Sequence, residues 1–165
     1  MKTGASFSDC KKYRYALWRI WDESKPLVMF IGLNPSIASD IIDDPTIKSV
    51  ASISRYNGFG GFYMMNCFPL VSTDPNALYN FYDSPFHDLE DIENMRWLLN
   101  IKGICSTVVF AWGNFDVVKD RAEYIIRFFT EAKALHINKN GSPKHPLYCK
   151  TETKFINYPA RTKEV

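Results

Sequence analysis

Four short runs in this chain carry polar or conformationally constrained residues where an apolar stretch ends, and they restrict the fold more than any other feature. Gly32-Leu33-Asn34-Pro35-Ser36 closes the apolar run from Leu27, and Asn66 closes Tyr63-Met64-Met65. Trp112-Gly113 closes Val108-Val109-Phe110-Ala111, and Lys144-His145-Pro146-Leu147-Tyr148 stands near the C-terminus. A continuous apolar run suits a strand buried on both faces, as in the parallel sheets of α/β domains. Such sheets bind ligands in the crevice beyond the carboxyl ends of their strands. The pattern therefore predicts an open α/β sheet whose strand ends share one crevice.

The intervening segments fill in the helices. Asp44-Pro45 is an acidic N-cap followed by proline at the first helical position. Ile47, Val50, Ala51 and Ser54 then follow at helical spacing, and Asn57-Gly58 ends the helix. Helical periodicity also marks residues 91–101 and about 116–131, where Val118, Ala122, Ile125, Ile126 and Phe129 form a stripe. Strands are expected at 27–32, 59–66, 107–112 and 134–137. The aromatic-rich run from Tyr13 to Trp21, followed by a turn at 22–26, predicts an N-terminal β-hairpin leading into the first central strand. Residues 1–12 read as a frayed or loosely attached start. The long stretch 67–89 exceeds an ordinary connection and predicts a short helix near Asn76–Tyr82. The β-α alternation implies a three-layer α/β/α sandwich around a mainly parallel sheet.

With 165 residues, 46% of them apolar, there is material for one core and none to spare for a second. A single domain over 1–165, with its core at about 13–158, is expected. The formal charge of +2 supplies no strong global field for nucleic acid. Any electrostatic footprint must come from local convergence of Lys11, Lys12, Arg14 and Arg19 with Lys139, Lys144, Lys150 and Lys154. Cys10, Cys67, Cys105 and Cys149 form no Cys-x-x-Cys pair, which argues against a zinc or iron–sulfur site and for reduced, buried thiols in the cytoplasm. Lys2, Asp9 and Lys11-Lys12 interrupt any signal-peptide pattern, and no run has the length of a membrane span. No cofactor and no membrane partner are expected, and the domain reads as a monomer.

The candidate residues each have two readings. Asn34 before Pro35 suits an ordinary turn. Asn66 suits a strand cap, or recognition of a base edge, since an amide offers both donor and acceptor. His145 is either a surface histidine or, inside a cleft, a donor to developing charge. Asp44 caps a helix, and Asp40, Asp43 and Asp44 together suggest a metal site only if further ligands join them. Trp112-Gly113 suits a strand-to-helix turn or a stacking platform.

In order along the chain, these motifs resemble those of the uracil-DNA glycosylase superfamily. Phe30-Ile31-Gly32-Leu33-Asn34-Pro35-Ser36 is similar to its first motif, in the branches where Asn precedes the proline. Tyr63-Met64-Met65-Asn66 is similar to its base-recognising strand, Val108–Gly113 to its strand ending in Trp-Gly, and His145-Pro146 to the start of its second motif. More closely, the chain resembles a small, largely uncharacterised bacterial and phage family. That family shares an Arg/Trp-rich opening strand, Leu-Asn-Pro-Ser, Asp-Asp-Pro-Thr, Ala-Trp-Gly and His-Pro-Leu-Tyr runs.

The resemblance implies a DNA glycosylase that extrudes a modified or damaged base and hydrolyses its N-glycosidic bond. Asn34 would position water, Asn66 would bind the base edge, and His145 would stabilise charge on the base. Gly32, Leu33, Pro35, Ser36 and Trp112 would line the pocket. Lys144, Pro146, Leu147 and Tyr148 would contact or wedge the DNA. The uracil-excising branch has an aspartate where this chain has Asn34, which brings Asp43 or Asp44 forward as the group acting on water. That branch also carries a bulky tyrosine where this chain has Ser36, so the resemblance implies room for a 5-substituted pyrimidine. Two other classes remain open: a base- or nucleotide-binding protein without catalysis, and a metal-dependent nuclease using Asp40, Asp43 and Asp44.

Overall fold

The computed structural model describes all residues except Ser39, 82–86 and 160–165; at 87 and 88 the backbone alone is described. Among these residues seven strands form one mixed sheet: β1 (Lys2–Phe7), β2 (Arg14–Ile20), β3 (Leu27–Gly32), β4 (Gly61–Asn66), β5 (Thr107–Phe110), β6 (Lys133–Ala134) and β7 (Ile156–Asn157). Among the described residues three α-helices join it: α1 (Pro45–Tyr56), α2 (His87–Lys102) and α3 (Lys119–Ile126). The strand order is β1-β2-β4-β3-β5-β6-β7. Parallel pairing is confined to the four central strands, β4-β3-β5-β6. The outer pairings β1-β2, β2-β4 and β6-β7 are antiparallel, so the sheet is less parallel than the sequence suggests.

The two sides of β3 belong to different apolar clusters, as the period-two alternation of a strand requires. Val28 and Phe30 join Ile47, Val50 and Ile53 of α1, whereas Met29 and Ile31 join Leu98 of α2 and Ile125 of α3. From β3 the chain crosses first to β4 on one side, then to β5 on the other. That reversal opens a crevice at the carboxyl ends of β3 and its neighbours.

Three expectations are corrected. Residues 1–12 are not simply frayed, because Lys2–Phe7 pairs along β2. Strand β2 does not pair with β3 across the 22–26 turn, because β4 inserts between them; its antiparallel neighbour in sequence is β1. The third helix is shorter than its apolar stripe. Beyond Ile126 the backbone tightens to i→i−3 bonds, such as Phe128 N–H to the Ile125 carbonyl at 2.9 Å. Asp44 caps α1 as its sequence indicates, its side chain accepting the Ile47 N–H at 2.9 Å with Pro45 in the first turn. A 3-10 turn at Pro75–Asn80, capped by Asp74, occupies the long connection.

Candidate functional site

A cavity of about 220 Å³ lies at the carboxyl ends of β3 and β4. Gly32, Leu33 and Asn34 line it from the end of β3, Met64 and Asn66 from β4, Ser36 and Asp44 from the loop before α1, and His145 from the far end of the chain. Residues separated by more than a hundred positions in the sequence thus converge where the chain reverses direction across the sheet.

Asn34 is held in a fixed orientation. Its Nδ2 donates to the carbonyls of Ser72 at 2.9 Å, Pro35 at 3.1 Å and Leu70 at 3.2 Å. The amide nitrogen therefore ties the 70–72 loop to the end of β3, and Oδ1 keeps its acceptor capacity. Asn66 is different. It is 2% exposed, and no described residue hydrogen-bonds its side-chain amide. Only its backbone carbonyl is engaged, accepting from Asn94 Nδ2 at 2.9 Å. Gly32 makes room for it: a Cβ at that position would lie 2.9 Å from Asn66 Oδ1 and 2.5 Å from Met64 Cε. An amide on the cavity wall with no partner among the described residues keeps its donors and acceptor available to a ligand.

His145 Nδ1 accepts the Leu147 N–H at 3.1 Å, capping the short turn Pro146–Tyr148. An accepting Nδ1 leaves the proton of a neutral imidazole on Nε2. Burial lowers the pKa of His145 from its ordinary value, while the charge of Asp44 opposes that shift. Asp44 itself is engaged on both oxygens, one by the cap bond and the other by the Ser36 hydroxyl.

Several lining residues escaped the sequence reading, Arg14 and Phe115 among them. Arg14, at the start of β2, is 3% exposed, and its Nη1 donates to the Ala38 carbonyl at 2.6 Å. Phe115 reaches the cavity from the segment after β5. A charged residue inside the aromatic run 13–21 was the available signal for Arg14; nothing local marks Phe115.

Other expected site residues lie elsewhere. Trp112 does not line this cavity: its ring packs in the core, 4.6 Å from Phe110 and 6.4 Å from Tyr158 between centroids, beside a separate cavity. Gly113, at φ 76°, turns the chain there. Asp43 is also absent from the lining, because Arg19 holds its Oδ1 through Nε at 2.9 Å and Nη2 at 2.8 Å. Pro35 is buried and contributes its carbonyl to the Asn34 and Ser72 bonds. Lys144 and Pro146 lie outside the lining, the latter buried; Leu147 and Tyr148 are exposed beside His145. Arg14 and Arg19 are buried and add nothing to a basic surface. Cys67 is buried, as expected, but Cys10 is exposed; all four cysteines are free thiols. Among the described residues no group of three His, Cys, Asp or Glu could hold a metal ion. No helix among them is long and apolar enough to cross a membrane.

Fold and cavity together define a mixed α/β domain with a ligand-type crevice at its strand ends. The chain belongs to DUF1643, a family of proteins of unknown function, whose model matches residues 14–147. The match begins at Arg14 and takes in every cavity residue through His145, leaving β1 and β7 outside. No curated protein and no solved structure matches the chain.

Proposed function

We propose that this protein is a DNA N-glycosylase on a uracil-DNA glycosylase-like scaffold, taking an extruded modified base, such as a 5-substituted pyrimidine, into the strand-end cavity. The observation that carries this reading is Asn66, whose side-chain amide lines the cavity with no hydrogen-bond partner among the described residues. Its adjacent donor and acceptor match the complementary pair on a base edge. His145 contributes a donor through Nε2, suited to the negative charge that builds on a departing base. Asn34, fixed through Nδ2, offers Oδ1 to a water beneath the sugar, where cleavage develops oxocarbenium character. Leu147 and Tyr148, exposed beside His145, would fill the gap an extruded base leaves.

Incubation with oligonucleotides carrying uracil, hypoxanthine or 5-substituted pyrimidines, followed by alkali, should break the strand at the modified position. Asn34→Ala and Asn66→Leu should each lower that activity at least about tenfold. Ser36→Tyr should abolish action on 5-substituted bases and spare any on uracil. The absence of breaks across the whole panel would overturn the reading. The amide at position 34, which cannot accept a proton as a carboxylate does, favours binding without cleavage as the second reading. Thermal stabilisation by free bases without abasic sites would select it.

A further inference from the structure

We infer that Arg14 makes the cavity an anion subsite, one that holds the ionised form of a heterocyclic base more tightly than the neutral form. The identity of the ligand rests on the base reading above; the charge preference rests on Arg14 alone. The guanidinium is 3% exposed, lines the cavity, and has no ion-pair partner among the described residues. Its Nη1 donates to the Ala38 carbonyl, while its Nε is buried without an acceptor. A buried cation in that condition is costly, and an anion beside it offsets the cost.

The neighbouring charges do not supply that anion at contact distance. Arg19 is itself cationic and is paired with Asp43 through two nitrogens. Asp44 attracts Arg14 through space, but both of its oxygens are occupied, by Ser36 and by the Ile47 N–H. It also caps the 12-residue helix α1, whose N-terminal dipole offsets much of its charge. Burial pushes Arg14 down to about 10, so the guanidinium remains charged throughout the neutral range. His145, across the same cavity, adds a neutral donor and no negative charge.

The test is calorimetric titration of the whole protein with uracil, with 5-nitrouracil, which is anionic at neutral pH, and with inorganic phosphate. The ionised pyrimidine should bind about tenfold or more tightly than uracil. In wild-type protein, affinity for 5-nitrouracil should fall as the pH is lowered through that ligand's own ionisation. Arg14→Gln should erase the preference, lowering the affinity for 5-nitrouracil about tenfold or more relative to that for uracil. Arg14→Lys should retain a preference, and the wild-type pH series stands even if the glutamine variant fails to fold. Equal affinity for the two pyrimidines, or a preference unchanged in Arg14→Gln, overturns the anion subsite and leaves the base reading intact. Phosphate binding that depends on Arg14, with neither pyrimidine bound, overturns the base reading and keeps the subsite. Binding of none of the three overturns both.

Discussion

The ends of β3 and β4 look much like the end of β5 in sequence, yet they do opposite things. All three are apolar runs that stop at a residue capable of recognising a flat ligand: Asn34, Asn66 and Trp112. The first two place their amides on the cavity. The third returns its ring to the core, against Phe110, Tyr158 and the cluster that covers the Met29 side of β3. Phe115, three residues on, reaches the cavity instead. A backbone switch separates the two outcomes. Gly113 adopts φ 76°, and a Cβ there would press on Phe115 at 3.3 Å and on His145 at 3.4 Å. The residue type at a strand end is thus a weaker guide to the site than the direction in which the next residue turns the chain.

The largest effect that could break this contrast is expected at Trp112. Trp112→Ala should cost about 3–5 kcal/mol of stability, the usual range for emptying a buried aromatic site, as measured by urea denaturation. Ligand affinity, measured well below the variant's melting temperature, should stay within about threefold. A specific loss of affinity at intact fold would return Trp112 to the binding surface. Gly32→Ala comes next. Its added Cβ meets Asn66 Oδ1 and Met64 Cε inside contact distance, so overpacking should cost about 1–3 kcal/mol and displace the cavity amide.

Asn66→Leu sharpens the contrast from the other side. Because no described residue bonds the Asn66 amide, an apolar side chain of similar shape breaks no hydrogen bond among them. Stability should change by less than about 1 kcal/mol while base binding is lost. Asn94→Leu should behave in the opposite way. Its amide nitrogen bonds the Asn66 carbonyl, so the variant should be destabilised by about 1–3 kcal/mol. Thermal melts of the two variants, with and without ligand, separate a recognition amide from a structural one.

The parts of this fold that were legible in the sequence are those set by neighbouring residues. Asp44-Pro45 and Asn57-Gly58 mark the ends of α1 because capping is local chemistry. β3, β4 and the core of β5 show as apolar runs because both their faces are covered. What sequence hid depends on distant partners. β1 carries the weak strand signature Lys-Thr-Gly-Ala-Ser-Phe and forms because β2 offers it an edge. Asp43 and Asp44 are adjacent and chemically identical, but Arg19 claims one for an ion pair while helix α1 and Ser36 claim the other. Arg14 reads as one more surface cation until the chain near Ala38 closes over it.

The smallest effect concerns pH, and it distinguishes His145 from the two asparagines that share its cavity. Burial lowers its pKa in the folded protein, so the unfolded chain binds the proton first as pH falls. Stability contributed by this group is therefore complete above the unfolded value of about 6.5 and is lost as pH falls through the folded one. Protonation also sets Nδ1–H against the Leu147 N–H, turning an accepted hydrogen bond into a clash of two donors. His145→Asn keeps an acceptor at this cap but removes the titration. Denaturation midpoints measured from about pH 7.5 down to about pH 5 should fall less steeply in the variant than in wild type. Identical slopes would mean that His145 is as accessible to protons when folded as when unfolded, and that the cavity does not hold it as a neutral donor.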